Sequence, residues 1–318
     1  MGDQSTSRAK TIWRDISGII VLDKPKGLSS NTALQRVRHI YRARKAGHTG
    51  SLDPLATGQL PICLGEAAKV AGYLLDSSKT YHATLMLGRK TQSGDAEGQV
   101  ISTMGVPDLD AACVASVMQA MVGKQQQIPP MYSALKQAGQ PLYRLARQGI
   151  EVARDARAIE ILAFELLQLD LPYLQFAVHC SKGTYVRTLA EDLAQRLGTV
   201  GHLTELKRTR IGQRDWIARS LDELEAARGQ EDLLDSWLYP TDSGVSDWPS
   251  LQLSATQYQS LVRGQPVVGL TLSQDTRYRL YSCDGFVGLG LSLGSGQVLK
   301  SLRLMATAAP KACRRSVD

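Results

Sequence analysis

"GIIVLDKPKGLSSNTALQRVRHIYR" occupies residues 18–42. Its apolar run, "GIIVLD", closes on Lys24-Pro25, which predicts a buried strand ending in a turn. Ser29 or Ser30 then offers an N-cap, and Leu34, Val37 and Tyr41 recur on one helical face. The other face carries Arg36, Arg38 and Arg42. One strand, one turn and one amphipathic helix within 25 residues set a mixed α and β pattern, and the rest of the chain extends it. "QLPICLGEAAKVAGYLL" (59–75) reads as a short apolar segment and a helix. "TYHATLMLGRKT" (80–91) alternates as a strand should. Val114, Val117, Met118 and Met121 have helical spacing. "AIEILAFELLQLD" (158–170) and "LQFAVHCSKG" (174–183) read as paired strands. "TYVRTLAEDLAQRLG" (184–198) reads as a helix with Leu189, Leu193 and Leu197 on one side and Gly198 just past its end.

Charge divides the chain into blocks. Residues 1–50 hold ten Lys/Arg against three Asp/Glu, residues 124–157 six against two, and residues 207–219 five against one. Residues 220–250 reverse this, with one basic and eight acidic residues. Clustered cations suggest a polyanion, most simply nucleic acid, with a solvated face as the alternative. The segment 123–157 is basic, rich in Gln, Gly and Pro, and interleaved with tyrosines. It reads as an excursion from the sheet ending in a short helix at "LYRLARQG". The acidic stretch, ending "GVSDWPS", reads as a helix and then a boundary. Residues 251–305 follow as a helix and three or four short strands. Within them "GLGLSLGSG" (288–296) is better read as a β-hairpin than as a dinucleotide loop.

No stretch of 18 apolar residues and no apolar leader is present, so neither a membrane span nor a secretory signal is expected. The five cysteines are dispersed without a CxxC pair, which predicts reduced thiols, no metal and a cytoplasmic setting.

The densest chemistry lies in "GHTGSLDPLATG", residues 47–58. It is too rich in glycine for a regular element and is expected to be a loop. A P-loop would need a lysine and Ser/Thr after its glycines, and none follows. Asp53 before Pro54 could be a plain turn residue. Alternatively, its flanking glycines let a ligand approach, and a carboxylate, ionised at neutral pH, can be a nucleophile without a partner base. A glycoside hydrolase normally needs two carboxylates. The nearest acids in sequence are Glu66 and Asp76, and neither is specially mounted. A single carboxylate suits an isomerisation.

This motif resembles the aspartate motif of the bacterial tRNA pseudouridine-55 synthases, the TruB family. Five further stretches resemble that family in its own order: "GIIVLDKPKGLSSN" (18–31), "SKTYHATLMLG" (78–88), "IPPMYSALKQAGQPLYRLARQGIEV" (128–152), "HCSKGTYVRTLAEDLA" (179–194) and "GHLTELKRTRIG" (201–212). The resemblance implies an α+β pseudouridine synthase fold: a mixed, largely antiparallel sheet flanked by helices, with an RNA-gripping insertion and a small β-rich, PUA-like C-terminal domain. The expected limits are a flexible N-terminus over 1–17 and a catalytic domain over 18–250, with its insertion at about 124–157. The C-terminal domain follows at 251–308 and a disordered tail at 309–318.

The implied activity converts uridine 55 of the tRNA T-loop to pseudouridine by base flipping, with no cofactor. A tRNA-folding chaperone role, a tRNA T-arm partner and a monomeric state are implied with it. Asp53 would be the nucleophile. Attack on C1′, addition to the base and assistance to a glycal route all stay open. Arg187 would pair with Asp53, because a carboxylate in a closed pocket needs a counter-charge to stay ionised. Tyr81 would stack on the target base and take part in proton transfer at C5. Tyr185 would line the uridine pocket, and Leu206 would be its apolar wall. His48 would fill the space left in the RNA loop by the flipped base. Lys24 and Pro25 would support the site's floor. Each has a plainer alternative: a helix-surface arginine, core aromatics, a core leucine, a structural histidine. The basic insertion and "RVRHIYRARK" (36–45) would contact phosphates. Two positions depart from the family pattern: Ser51, where alanine is frequent, and Lys207, where arginine is usual.

Overall fold

The computed structural model describes residues 12–137 and 139–306. The chain begins with β1 (Gly18–Lys24), α1 (Ser30–Ile40), β2 (Ala46–His48), β3 (Thr57–Leu64) and α2 (Ala71–Leu75). Next come β4 (Lys79–Leu87), β5 (Arg89–Thr91), β6 (Val100–Thr103), α3 (Ala111–Gln119) and β7 (Gly123–Gln127). The insertion holds β8 (Lys136–Gln137), β9 (Gln140–Pro141) and α4 (Leu142–Arg147). The sheet resumes with β10 (Arg157–Asp170), β11 (Tyr173–Cys180), α5 (Val186–Arg196), β12 (Gly201–Ile211) and β13 (Arg219–Ser220), before α6 (Leu221–Ala226) and α7 (Glu231–Ser236). The last part comprises β14 (Ser250–Gln252), α8 (Ala255–Val262), β15 (Val267–Val268), β16 (Arg277–Ser282), β17 (Gly285–Leu293) and β18 (Val298–Leu304).

Nine strands form the main sheet, in the order β13-β1-β3-β12-β4-β11-β10-β7, with β2 added on β3. Only the β1–β13 and β3–β12 pairs are parallel; the other pairs are antiparallel, so the sheet is mixed and largely antiparallel as expected. β14 to β18 form a second, five-stranded sheet. The hairpin expected at 288–296 is the β17–β18 turn.

The apolar run at 18–23 is continuous because β1 is covered on both faces. Ile20 and Leu22 point into the large core with Leu34, Val37 and Leu193 from α1 and α5. Ile19 and Val21 point the other way, into a core with Val70, Leu74, Leu289 of the second sheet and Met305 just past it. α1 starts where Ser29 caps the Thr32 amide.

Four expectations are corrected. Residues 47–58 are not wholly a loop: Gly47 and His48 lie in β2, Thr57 and Gly58 in β3, and only 49–56 is irregular. Glycine is required at 58, because Gly58 has φ +96° and a side chain would collide with the Arg208 backbone. Within 59–75, residues 59–64 complete a strand rather than an undefined apolar segment. The insertion starts at 128 rather than 124, since β7 pairs with β10 along the sheet edge. Of the flexible arm expected over 1–17, residues 12–17 are anchored: Arg14 pairs with Glu231 and Asp235 at 3.1 and 2.5 Å, and Arg38 lies over the Trp13 ring at 4.5 Å. Residues 1–11 and the tail at 309–318 lie outside the described residues.

Candidate active site

The loop 49–56 is held from three sides. From α1, the Ser30 hydroxyl takes the Leu52 amide at 2.7 Å. From the turn after β1, the Gly27 amide donates to the Pro54 carbonyl at 2.7 Å. From β12, Arg208 donates to the carbonyls of Gln59 and Gly50 at 2.8 and 3.1 Å. The segments 18–31 and 47–58 are therefore one construction, with the first clamping both flanks of Asp53. Ala56 closes the turn by donating to the Asp53 carbonyl at 3.1 Å, with Pro54 fixing φ at the second position.

Asp53 faces a cleft of about 260 Å3 whose lining includes Tyr81, Tyr185, Arg187, Leu206 and Arg208. Arg187, 134 positions later, sits at the start of α5 with 5% of its side chain exposed, and its Nε lies 2.9 Å from Asp53 Oδ2. Its Nη1 donates to the Ser93 carbonyl and its Nη2 to the Tyr132 carbonyl, both at 2.6 Å. A buried second carboxylate, Asp95, stands 3.7 Å from the same Nε. Burial pushes the Asp53 carboxyl above its usual value, Arg187 pulls it back, Asp95 adds to the rise and Lys24 opposes it. Its side chain is 40% exposed, so solvent moderates each of these effects.

The walls are mixed, with an apolar part and a charged part. Tyr81 on β4 and Leu206 on β12 are both nearly buried and face the cleft. Burial raises the Tyr81 phenol, with positive Arg208 opposing it, so a neutral ring and hydroxyl face the cleft. Tyr185 caps α5, its backbone gripped both ways by the Gln127 amide at 2.8 and 3.1 Å. Lys24 is fully buried and donates to the carbonyls of Pro25, Leu28 and Pro54 at 2.9, 2.6 and 3.4 Å. Burial lowers its ammonium to about 8, and Asp53 opposes that fall. His48 is half-buried on β2 with a buried, unpartnered Nδ1. Burial lowers its pKa, so the imidazole is neutral at pH 7. Five of the six residues expected around Asp53 thus gather on it or its supports; His48 stands on the adjoining strand and does not line the cleft.

The sequence reading missed Asp95, Arg208 and Lys79. Lys79 is 7% exposed and braces the turn after α2 through the carbonyls of Leu75 and Ser77, both at 2.6 Å. Arg208 was legible in principle, because it stands two residues after Leu206 on one strand and so shares its face. The phosphate-contact expectation for 36–45 is corrected in part. Arg42 pairs with Glu231, and Arg38 turns back to the Ala43 carbonyl at 3.1 Å. The acidic block cancels some of the basic one in space; Arg44 and Lys45 stay exposed.

Residues 38–186 match the model for the TruB family pseudouridylate synthase N-terminal domain. Residues 187–246 match the tRNA pseudouridylate synthase B C-terminal domain, and 249–305 the C-terminal region of pseudouridine synthase II TruB. The chain is 47% identical over 301 residues to the tRNA pseudouridine synthase B of Ectopseudomonas mendocina, covering 92% of this chain and 96% of that one. It is also 47% identical over 305 residues to that of Neisseria meningitidis serogroup A, covering 95% and 99%. The chain belongs to the TruB family of pseudouridine synthases. In fold, this TruB-family chain is similar to a crystal structure of a Cbf5-Nop10-Gar1 complex, with a TM-score of 0.69 at 22% identity over 91% of this chain and 84% of that one. Among the described residues no helix is long and apolar enough to cross a membrane.

Proposed function

We propose that this TruB-family chain isomerises uridine 55 in the T-loop of tRNA to pseudouridine, with Asp53 as nucleophile. The observation that carries the reading is the Asp53–Arg187 contact of 2.9 Å at the floor of a cleft walled by Tyr81 and Leu206. The N1–C1′ bond breaks, the uracil turns, and C5 bonds to C1′ while its proton leaves and N1 gains one. Atoms and electrons balance with no co-reactant. Arg187 orients the carboxylate and keeps it charged. Tyr81 stacks on the flipped base, Leu206 closes its apolar side and Tyr185 borders the sugar. His48, neutral and beside the cleft, fills the place the base leaves; this offsets part of the few kcal/mol that extrusion costs. Lys24 holds the loop rather than touching the base. The insertion at 128–156 grips the RNA from the cleft's rim. The tRNA substrate is supported by the names of the relatives and by the exposed cations of the insertion.

Unmodified tRNA incubated with the protein should gain pseudouridine at position 55, and Asp53→Asn should abolish it while binding persists. Wild-type protein that forms none, or a variant that is equally active, overturns the reading. Release of free uracil would replace it with a glycosylase.

A further inference from the structure

α2 and the turn after it separate two hollows. Leu75 and Lys79 border the catalytic cleft, whereas Tyr73 and Ser77 border a hollow of about 180 Å3 at the seam between the two sheets. Trp248 and Arg277 complete that hollow. The Tyr73 and Trp248 rings meet edge to face, 4.7 Å between centroids and inclined at 72°. Arg277, the first residue of β16, lays its guanidinium over both, 5.5 Å from Tyr73 and 5.4 Å from Trp248.

A guanidinium stacked on rings has its faces covered and its in-plane N–H groups open. Among the described residues, those of Arg277 make no hydrogen bond or ion pair, and the residue is exposed. The other charges around the hollow are matched. Arg214 pairs with Asp247 and Lys182 with Asp76, each at 2.7 Å. Arg214 is further committed to the carbonyls of Ser243 and Gly244. The surplus charge is therefore one arginine of the second sheet, stacked on two aromatic rings that both precede that sheet in the chain.

We propose that Arg277 and its aromatic platform form a binding site for an RNA backbone phosphate. A planar fork with open donors suits the bidentate geometry of phosphate oxygens. The hollow shares a wall with the cleft, so RNA delivering a uridine to Asp53 passes beside it. This rests on the RNA-modifying reading above. An acidic protein segment is the other chemistry such a fork could take, and the test separates the two.

Wild type, Arg277→Ala and Arg277→Lys are compared on full-length unmodified tRNA by binding across a salt series, by single-turnover rate at saturating RNA, and by melting temperature. Losing one phosphate contact should flatten the log–log salt slope by about 0.7. That corresponds to about fivefold weaker binding at 0.1 M salt, with the loss vanishing near 1 M. Arg277→Lys should restore the slope. The saturated rate and melting temperature should not move.

An unchanged slope overturns the proposal. So does a lowered melting temperature with an unchanged slope, since that marks a structural strut. Binding of polyglutamate that depends on Arg277, with tRNA binding unaffected by it, also overturns it. If wild type forms pseudouridine but the slope does not move, only this proposal fails. If the slope moves but wild type forms none, the isomerase reading fails and the phosphate site stands.

Discussion

The cleft and the seam are each organised by an arginine, and the two arginines are used in opposite ways. Each of the three nitrogens of Arg187 has a protein partner, and its side chain is 5% exposed. With every nitrogen engaged and the side chain buried, it is placed to orient Asp53 rather than to meet a ligand. Arg277 is stacked but unbonded. Where an arginine's donors go decides what it does, and a basic stretch of sequence does not reveal that.

The largest effect that tests this contrast is at the carboxylate itself. Asp53→Asn should lower the rate of pseudouridine formation by about ten-thousand-fold or more, the order lost when a nucleophile is removed; unmodified tRNA and single-turnover mapping measure it. Next is Arg187→Met, which leaves Asp53 and buried Asp95 without their shared cation. Breaking such a buried pair costs about 3–5 kcal/mol, visible in chemical denaturation. Arg187→Lys keeps the charge but loses the planar fork, so the protein should stay folded with a rate about 100-fold lower from misplacement alone. Gly58→Ala should cost about 1–3 kcal/mol from its positive φ, plus the collision with the Arg208 backbone, read as a lower melting temperature. A subtler effect is in the pH–rate profile. Burial raises the Asp53 pKa, and the carboxylate is the reactive form. Activity should therefore fall, as pH drops, above the ordinary carboxylate range. Replacing Arg187 by Lys should move that limb little, whereas Arg187→Gln should move it further up. The smallest effect, about fivefold in binding, is that of Arg277→Ala.

Local patterns were readable, and their spatial partners were not. β1 and α1 announce themselves through a continuous apolar run and a capped amphipathic period. β2 is three residues long, and its pairing to β3 depends on a turn that glycine content disguised as a loop. β7, "GKQQQ", carries no apolar alternation because it is an edge strand, so its polarity read as part of the insertion. Asp53 and Arg187 could be paired only through the resemblance, since 134 positions separate them. Asp95 had no motif to mark it: its burial arises where the 92–99 turn folds against β12. The basic N-terminal stretch, residues 1–50, and the acidic block after 220 gave opposite signals in sequence, and ion pairs at Arg14 and Arg42 join them in space.

The two-sided burial of β1 has a consequence for dissection. Ile19 and Val21 complete a core that Leu289 of β17 and Met305, just past β18, also complete. Cutting the chain at 249 would leave that side of the strand that leads to Lys24 facing water. Such a fragment should be prone to aggregation rather than a minimal enzyme, and the two sheets should melt in a single cooperative transition.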